Sequence, residues 1–305
     1  MKKKFITLSI CASLFAGYSC SSPQADDACQ DLTQYVDPYI GSGGHGHVFV
    51  GANVPYGLVQ LGPASIPQEW DWTSGYHISD STVIGFPHMH LSGTGIGDLF
   101  DITLMPVTGE VTYARGVEAD QNSGLWSYSD RSKEVVKPGY YATHLLRYNV
   151  DVELTATKRV GFHKYTFNNP AEAAVVFDLQ NGGCWDSPTA AYINKVGEKT
   201  IEGYRYSSGW ANDQRVFFVA EFSQPITSLD VIVNKDETMA DQGKGKIVYA
   251  RANVDAKQPV YVKVALSPTS IENAKMNMQA ELPGWDFVST IVQADQAWEK
   301  ALAKI

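Results

Sequence analysis

Histidine, tryptophan and glycine are concentrated between residues 37 and 109 of this chain. Five of the seven histidines lie in this stretch: His45, His47, His77, His88 and His90. Glycine allows φ > 0 and a close approach of the backbone to a ligand, whereas imidazole and indole rings supply hydrogen bonds and flat apolar faces. A hydrophobic core alone needs few of these residues together, so the stretch predicts the rim of a binding site.

The triplet Trp70-Asp71-Trp72 indicates which class of ligand this rim would bind. It lies in a polar segment that is rich in turn-forming residues. The apolar C–H face of a sugar can stack on an indole, and a carboxylate can accept hydrogen bonds from sugar hydroxyls. The triplet therefore predicts a carbohydrate platform, with the alternative that one or both tryptophans anchor the loop.

Two H-x-H pairs raise the question of a metal site; they are His45 with His47 and His88 with His90. Alternate residues of a strand face the same side, so either pair could offer two imidazoles to zinc, with Asp98 or Asp101 adding a carboxylate. No Cys-x-x-Cys or His-Glu-x-x-His motif accompanies them. The sequence favours histidines that brace the loops by hydrogen bonds, and we predict no metal ligand among them.

Glycine-rich segments in the same stretch do not match the motifs of nucleotide or acyl chemistry. Residues 43–47, GGHGH, could bring the backbone near Gly44 close to a ligand, or simply form a tight turn. They are not followed by the Lys-Ser/Thr pair of a phosphate loop. Residues 91–95, LSGTG, lack the G-x-S-x-G pattern of a serine nucleophile. No paired catalytic carboxylates can be assigned from spacing.

Most of the remaining chain has the alternation of β-strands. Aromatic and β-branched residues alternate with polar ones, and turn residues such as Asn181-Gly182-Gly183 separate the runs. The clearest runs are residues 140–146, 152–157, 161–167, 215–222 and 260–266. Residues 173–179, AAVVFDL, are nearly continuously apolar, which is typical of a strand covered on both faces. The pattern predicts an all-β chain with a large antiparallel β-sandwich over residues 35–267.

A helical pattern replaces the strands in residues 268–305. One helix is predicted from Ser270 to about residue 282, and Pro283-Gly284 ends it. An amphipathic helix follows Trp285, with an apolar stripe that is formed by Phe287, Ile291, Ala294, Trp298, Leu302 and Ile305. The stripe either packs back onto the sandwich or links it to a further domain.

The first residues have the pattern of an export signal. Three lysines precede a short apolar run, and small residues lead to Cys20. We predict a signal peptide over residues 1–19 and a tether over residues 20–34, with Cys20 as the lipidated residue of a lipoprotein. Ordinary signal cleavage near this point is the alternative. The predicted location is the periplasm or the cell surface of a Gram-negative bacterium.

Charge and cysteine content exclude some partners. Removing residues 1–19 takes away three lysines and no acids, so the formal net charge changes from −9 to −12. Such an acidic protein without a basic patch is a poor ligand for nucleic acid. No second apolar run is long enough to span a membrane, which leaves the lipid as the only membrane contact. Cys29 and Cys184 remain after export, and the sequence does not decide whether they pair.

Several long motifs, in order, resemble the start of glycoside hydrolase family 92. They are DPYIGSGGHGHVFVGANVPYGLVQLGP (37–63), WDWTSGYHISDSTVIGF (70–86), HMHLSGTGIGD (88–98) and DITLMPVTG (101–109). KPGYYATHLL (137–146), ELTATKRVGFHKYTF (153–167), GYRYSSGWANDQRVFFVAEFS (203–223) and ELPGWDF (281–287) continue the resemblance. It covers essentially everything after the signal peptide.

The resemblance implies an exo-acting, calcium-dependent α-mannosidase with an inverting mechanism. In this family an N-terminal β-sandwich is joined by helices to an (α/α)6 barrel that supplies the general acid, the general base and most of the calcium and substrate ligands. The resemblance therefore places no catalytic residue and no calcium ligand in this chain. This sequence is similar to the sandwich and linker only. The resemblance implies that the partners are mannose-containing glycans and a C-terminal catalytic domain, and that this chain alone is inactive.

The family's sandwich contributes a loop toward the leaving-group sugar, and the resemblance places that role on Trp70-Asp71-Trp72. Gly44, His45 and His90 are further candidates for the rim. Thr73 stands where relatives often have cysteine. A stand-alone carbohydrate-binding lipoprotein is the alternative function, and a metalloenzyme built on the H-x-H pairs is a second one.

Overall fold

The computed structural model describes residues 31–235 and 237–305. Residues 1–30, which include the predicted signal peptide, Cys20 and Cys29, lie outside the described part. The strands in chain order are β1 Ala52–Asn53, β2 Gln60–Leu61, β3 Thr82–Val83, β4 Thr103–Thr108, β5 Ser127–Tyr128, β6 Val135–Lys137, β7 Tyr140–Leu145, β8 Val150–Ala156, β9 Val160–Phe167, β10 Ala173–Asp178, β11 Ser187–Lys195, β12 Thr200–Ser208, β13 Gln214–Phe222, β14 Ile226–Val233, β15 Glu237–Ala240, β16 Gln242–Gly245, β17 Val248–Val254 and β18 Val260–Ser267. The helices are α1 Ile271–Glu281 and α2 Phe287–Leu302.

Two large antiparallel sheets form the body of the protein. One has nine strands in the order β16-β11-β12-β13-β18-β9-β8-β7-β6, and the other has five in the order β15-β14-β17-β10-β4. Phe177 of β10 stacks on Phe218 of β13 with ring centroids 5.9 Å apart, so the inner faces of the two sheets share one core. The predicted all-β fold with C-terminal helices is confirmed.

The burial pattern of individual strands explains their position in the sheets. All six residues of β10 are buried, and this strand lies between β17 and β4 with both faces covered. The residues of β12 alternate between buried and partly exposed, as expected for a strand with one face on the core. The near-continuous apolar run at 173–179 thus forms a strand that is covered on both faces, as its sequence predicts.

The two C-terminal helices begin at capping side chains. The hydroxyl of Ser270 accepts a hydrogen bond from the Asn273 amide, and the Asp286 carboxylate accepts one from the Ser289 amide. Met278 of α1 and Phe287 of α2 are buried against Phe162 and its neighbours on the outer face of the nine-stranded sheet. Within residues 31–235 and 237–305, neither helix is both long and apolar enough to cross a bilayer.

The apolar stripe of α2 packs back onto the sandwich over part of its length. Ala294 is buried, and the indole of Trp298 donates a hydrogen bond to the Asn53 carbonyl at 2.8 Å. The Glu299 carboxylate accepts hydrogen bonds from the amides of Leu32 and Thr33 at 3.0 and 2.7 Å. The last residues of the predicted tether, 31–34, therefore contact α2.

Candidate functional site

A glycine-rich turn positions the first two site histidines. His45 lies in the 3-10 turn Gly44–Gly46, and His47 follows it in the left-handed region at φ 53°. A Cβ atom on Gly46 would overlap the backbone of Gly41, so the turn closes only with glycine at this position. The left-handed residue costs conformational energy that the packed loop must supply. It turns the His47 side chain towards the loop that carries Asp71.

His45, His47 and Asp71 form a compact group that we call the His–Asp cluster. Nδ1 of His45 lies 2.5 Å from Oδ1 of Asp71, and Nε2 of His47 lies 3.4 Å from the same oxygen. The hydrogen bond from His45 lowers the pKa of Asp71 below its usual range. His47 is almost fully buried, whereas the side chain of His45 is 78% exposed. The cluster thus has one buried imidazole, one exposed imidazole and one carboxylate.

Trp70 forms an exposed apolar face beside this cluster. The indole is 52% exposed, and its Nε1 donates a hydrogen bond to the Gly95 carbonyl at 3.1 Å. The ring of His47 meets it edge to face at 4.2 Å between centroids, and the ring of His45 lies at 5.5 Å. A Cβ atom on Gly95 would come within 2.5 Å of the indole, so glycine is needed for this packing. The indole is therefore held in place on one side and open to solvent on the other.

Trp72 has a different role, because its ring and its nitrogen are both engaged inside the loop. Its indole stacks on His77 at 4.3 Å and 19°, and its Nε1 donates to Asp80 at 2.7 Å. His77 in turn accepts the Gly44 amide at Nε2 and contacts the Ser79 hydroxyl at Nδ1. Trp72 is thus a loop anchor that ties the two site loops together. The Gly44 amide is already used in this link, so Gly44 shapes the turn.

The second H-x-H pair lies inside the sandwich. Nδ1 of His88 lies 2.6 Å from the Ile102 carbonyl, Nε2 of His88 lies 2.9 Å from Nε2 of His163, and the Tyr165 hydroxyl lies 2.7 Å from Nδ1 of His163. One set of donors satisfies the chain: Tyr165 donates to His163, His163 to His88, and His88 to the carbonyl. Burial lowers the pKa of His88 to about 4, and it lowers the pKa of His163 as well, so both imidazoles stay neutral.

His90 is buried below the loop surface and does not join Trp70 at the rim. Its ring packs between Phe49 at 4.7 Å and Phe100 at 4.9 Å, and its Nδ1 lies 2.8 Å from the Gln60 carbonyl. Burial lowers its pKa to about 4 as well. The His90 ring lies so close to Gly75 that a Cβ atom there would approach it. His90 therefore supports the loop that carries Trp70 from beneath.

Asp98 and Asp101, the two carboxylates that the H-x-H spacing suggests as metal ligands, have other contacts. Asp98 accepts a hydrogen bond from the Trp210 amide at 2.6 Å. Asp101 forms an ion pair with Arg205 at 2.6 Å. Among the described residues, the only group of three potential metal-binding side chains is the His–Asp cluster. Its carboxylate is Asp71, for which the sequence predicts sugar binding alone.

Arg205 is the residue that sequence reasoning missed. Its guanidinium is fully buried in β12 and binds Asp101 on one side and Asp186, at 2.7 Å, on the other. Its Nε also donates to the Leu179 carbonyl at 3.1 Å. Asp101 precedes β4 of the five-stranded sheet and Asp186 precedes β11 of the nine-stranded sheet, so one arginine ties together the loop ends of both sheets. A charged residue among the tyrosines of GYRYSSGW is the only local signal of this role.

Comparisons of this chain with family models, related sequences and solved structures agree on one family. The family model described as the glycosyl hydrolase family 92 N-terminal domain matches residues 35–267. An uncharacterized secreted glycosidase from Arthroderma benhamiae is 25% identical over an alignment of 308 positions, which covers 90% of this chain and 38% of that protein.

Solved structures show the same relationship. A family 92 α-mannosidase from Bacteroides thetaiotaomicron is 33% identical with a TM-score of 0.85, over 90% of this chain and 38% of that chain. A further structure of that mannosidase holds mannoimidazole. An inverting family 92 mannosidase of the same organism is 20% identical with a TM-score of 0.72, over 89% of this chain and 36% of its own, a likeness that shows the fold.

This chain therefore spans less than half the length of the relatives that it matches. The match to the family model covers most of the sequence, including both H-x-H pairs, the Trp70-Asp71-Trp72 triplet and the eighteen strands that the structure describes. The chain belongs to glycoside hydrolase family 92, through the N-terminal domain of that family.

Proposed function

We propose that this chain forms one side of the sugar-binding cleft of an exported α-mannosidase that acts on mannose-containing glycans. The observation that carries the proposal is the exposed indole of Trp70, which His47 and Gly95 hold in a fixed orientation. A rigid aromatic face binds a sugar ring with little loss of conformational entropy. The related α-mannosidase that holds mannoimidazole supports the choice of mannose as the sugar.

Within this proposal the cluster residues have separate tasks. Trp70 stacks on the leaving-group sugar, and Asp71 accepts hydrogen bonds from its hydroxyls. Because His45 is exposed and contacts Asp71, it is placed to donate to a neighbouring hydroxyl. Trp72 and His90 support the loops from below and make no sugar contact in this assignment.

The chemistry of bond cleavage belongs to the rest of the enzyme. An inverting mechanism needs an acid and a base on opposite sides of the glycosidic bond, about 6.5–9.5 Å apart. The matched mannosidase is much longer than this chain, which covers 38% of it. We assign both carboxyl groups to a C-terminal catalytic domain, so that the chain alone binds sugar weakly and releases no mannose.

The donors at the Trp70 site do not fit the calcium ion that the family resemblance implies. Calcium takes six to eight oxygen ligands, whereas the His–Asp cluster offers two imidazole nitrogens and one carboxylate. No step of the reaction is therefore assigned to calcium at this site. Its ligands belong with the catalytic domain.

We also propose that the protein is exported and that Cys20 carries a lipid. The secreted relative from Arthroderma benhamiae supports export, and the signal pattern in residues 1–19 supports a lipoprotein. Metabolic labelling with a palmitate analogue should mark the protein, and Cys20→Ala should abolish the label. A labelled Cys20→Ala protein would contradict lipidation at this position.

Binding of mannobiose to the purified chain, followed by saturation-transfer NMR, tests the sugar proposal. We expect weak binding, with a Kd of about 1 mM or higher, because one face of a sugar gives few contacts. Trp70→Ala should remove the signal, and Trp285→Ala, on the linker between α1 and α2, should retain it. A signal that survives Trp70→Ala would contradict the proposal. A Kd far below about 0.1 mM would instead favour a stand-alone carbohydrate-binding lipoprotein.

A further inference from the structure

The side chains of the His–Asp cluster have the chemistry and spacing of a transition-metal site. Their nearest ligand atoms, two imidazole nitrogens and one carboxylate oxygen, all lie within 4.8 Å of one another. Two imidazoles and one carboxylate match the ligand types of three-coordinate protein sites for zinc that leave a fourth position open. This set comes from two different loops, so it is not a local feature of the H-x-H motif alone.

His47 and Asp71 of the His–Asp cluster already have the spacing of two ligands of one metal ion. Nε2 of His47 and Oδ1 of Asp71 are 3.4 Å apart. Two tetrahedral ligands at about 2.0–2.2 Å from a zinc ion are separated by about 3.4 Å. The separation of these two atoms therefore suits one zinc ion, and the turn that carries the left-handed His47 positions its ring.

The third ligand is free to adjust. Nδ1 of His45 lies 2.5 Å from Oδ1 of Asp71, which is too close for two ligands of one ion. The His45 side chain is 78% exposed, so a rotation that opens this distance by about 1 Å meets little resistance. Both imidazole contacts of Asp71 go to Oδ1, so an ion bound at this oxygen would replace the hydrogen bond from His45.

The other histidines of the described chain do not form such a group, including His90, whose buried Nε2 has no hydrogen-bond partner. His77, His88 and His163 each have both ring nitrogens engaged by protein atoms. His144 has a single carboxylate contact, to Asp151 at 2.6 Å. That pair has a His–carboxylate contact like the one between His45 and Asp71, but it lacks a second imidazole, and it serves as an internal reference.

We infer that His45, His47 and Asp71 form a binding site for a divalent first-row transition metal such as zinc, at the edge of the Trp70 platform. Nitrogen donors select such ions over calcium and magnesium, which prefer oxygen. The bound ion would lie beside the indole and leave at least one coordination position open to solvent. The inference does not depend on sugar binding, because metal binding is measured without sugar.

Calorimetric titration of the tag-free, chelator-treated chain with zinc chloride tests the inference. We expect one site per chain with a Kd in the micromolar range, and no binding of calcium chloride up to about 1 mM. Copper(II) at one equivalent should quench tryptophan fluorescence, and Trp70→Phe should remove most of that quenching.

Matched variants decide whether the cluster is the site. His47→Ala should weaken zinc binding by about 100-fold or more, and His45→Gln, at an exposed position, by about 10-fold or more. His144→Ala should leave the affinity unchanged. Absence of zinc binding by the wild-type chain at about 1 mM, or an equal loss in His144→Ala and His47→Ala, would overturn the inference. Full affinity in His45→Gln would also overturn the assignment of three ligands.

Discussion

The imidazole of His47 meets the indole of Trp70 edge to face, with 4.2 Å between the ring centroids. His47 lies in the left-handed region of the backbone, which few residues other than glycine adopt, although histidine, asparagine and aspartate adopt it more often than the rest. The strained residue and the exposed tryptophan therefore support each other, because the loop that fixes the first also orients the second. This relationship explains why one tryptophan of the Trp70-Asp71-Trp72 triplet is presented to solvent in a defined orientation.

The two tryptophans of the triplet should respond differently to substitution. Trp72→Ala removes a stacked contact with His77 and a hydrogen bond to Asp80, and we expect the free energy of unfolding to fall by about 2 kcal/mol. Trp70→Ala removes a half-exposed ring and should cost less than about 1 kcal/mol. Urea unfolding of both variants measures the difference. Equal destabilisation would contradict the division into an anchor and a platform.

Gly44 and Gly46 of the site turn are needed for different reasons, one for its backbone conformation and the other for lack of space. Gly44 has φ +54°, but open space surrounds the position that a Cβ atom would take, so Gly44→Ala should cost about 1–2 kcal/mol. A Cβ on Gly46 would overlap the Gly41 backbone, so Gly46→Ala should cost more and disturb the His–Asp cluster. Thermal unfolding of the two variants checks the order. The reverse order would show that the backbone of this turn is not as described.

Arg205 should contribute more to stability than an exposed arginine does. Arg205→Met removes the ion-pair partner of two buried carboxylates, which keep only hydrogen bonds from Ser207 and Gln214, and we expect a loss of about 3–5 kcal/mol. Arg215, whose ion pair with Asp213 is exposed, is the matched control, and Arg215→Met should change stability by less than about 1 kcal/mol. Replacing Asp101 and Asp186 by asparagine in the Arg205→Met background should recover part of the loss. Equal small effects of Arg205→Met and Arg215→Met would contradict a structural role for the buried ion pairs.

The buried imidazoles predict a loss of stability in mild acid. Burial lowers the pKa of His88 and of His90 to about 4, below the value in the unfolded chain. Between about pH 6.5 and 4 the unfolded chain therefore binds protons that the folded protein does not, so stability falls as the pH falls through this window. The buried carboxyl of Asp178, with a pKa raised to about 6, acts in the opposite direction.

Comparison with a His90→Gln variant cancels the contribution of Asp178. Glutamine can still donate to the Gln60 carbonyl but does not titrate. We expect the loss of unfolding free energy between pH 7.5 and pH 5 to be about 2 kcal/mol smaller in the variant. Urea unfolding at both pH values provides the measurement. Identical losses in the two proteins would show that His90 is not a neutral buried imidazole.

Both helices and six of the longer strands, β7–β10, β13 and β18, could be predicted because their signals are local. The burial of β10 follows from the unbroken run AAVVFDL, and the boundaries of α1 follow from Ser270 and the Pro283-Gly284 pair. The family could be recognised because several long motifs occur in one order, and the family model confirms it.

The arrangement of the site could not be predicted, since it depends on contacts between loops that are distant in sequence. Asp71 meets His45 and His47 across more than twenty residues. Trp70 and Trp72 flank the same residue, Asp71, but have opposite environments in the fold. The buried position of His90 likewise depends on Phe49 and Phe100, which only the folded chain brings together.

Indole resonances of the purified chain test the central claim most directly, because each tryptophan Nε1–H gives its own NMR signal. The Trp70 proton bonds to the Gly95 carbonyl and the Trp72 proton to Asp80, so the two signals report on the platform and on the anchor. On titration with mannobiose, we predict that the Trp70 signal shifts progressively while the Trp72 signal stays in place. A Trp70 signal that stays in place at every mannobiose concentration would contradict the account. Movement of other signals while the Trp70 signal stays in place would contradict it as well, because mannobiose would then bind elsewhere on the chain.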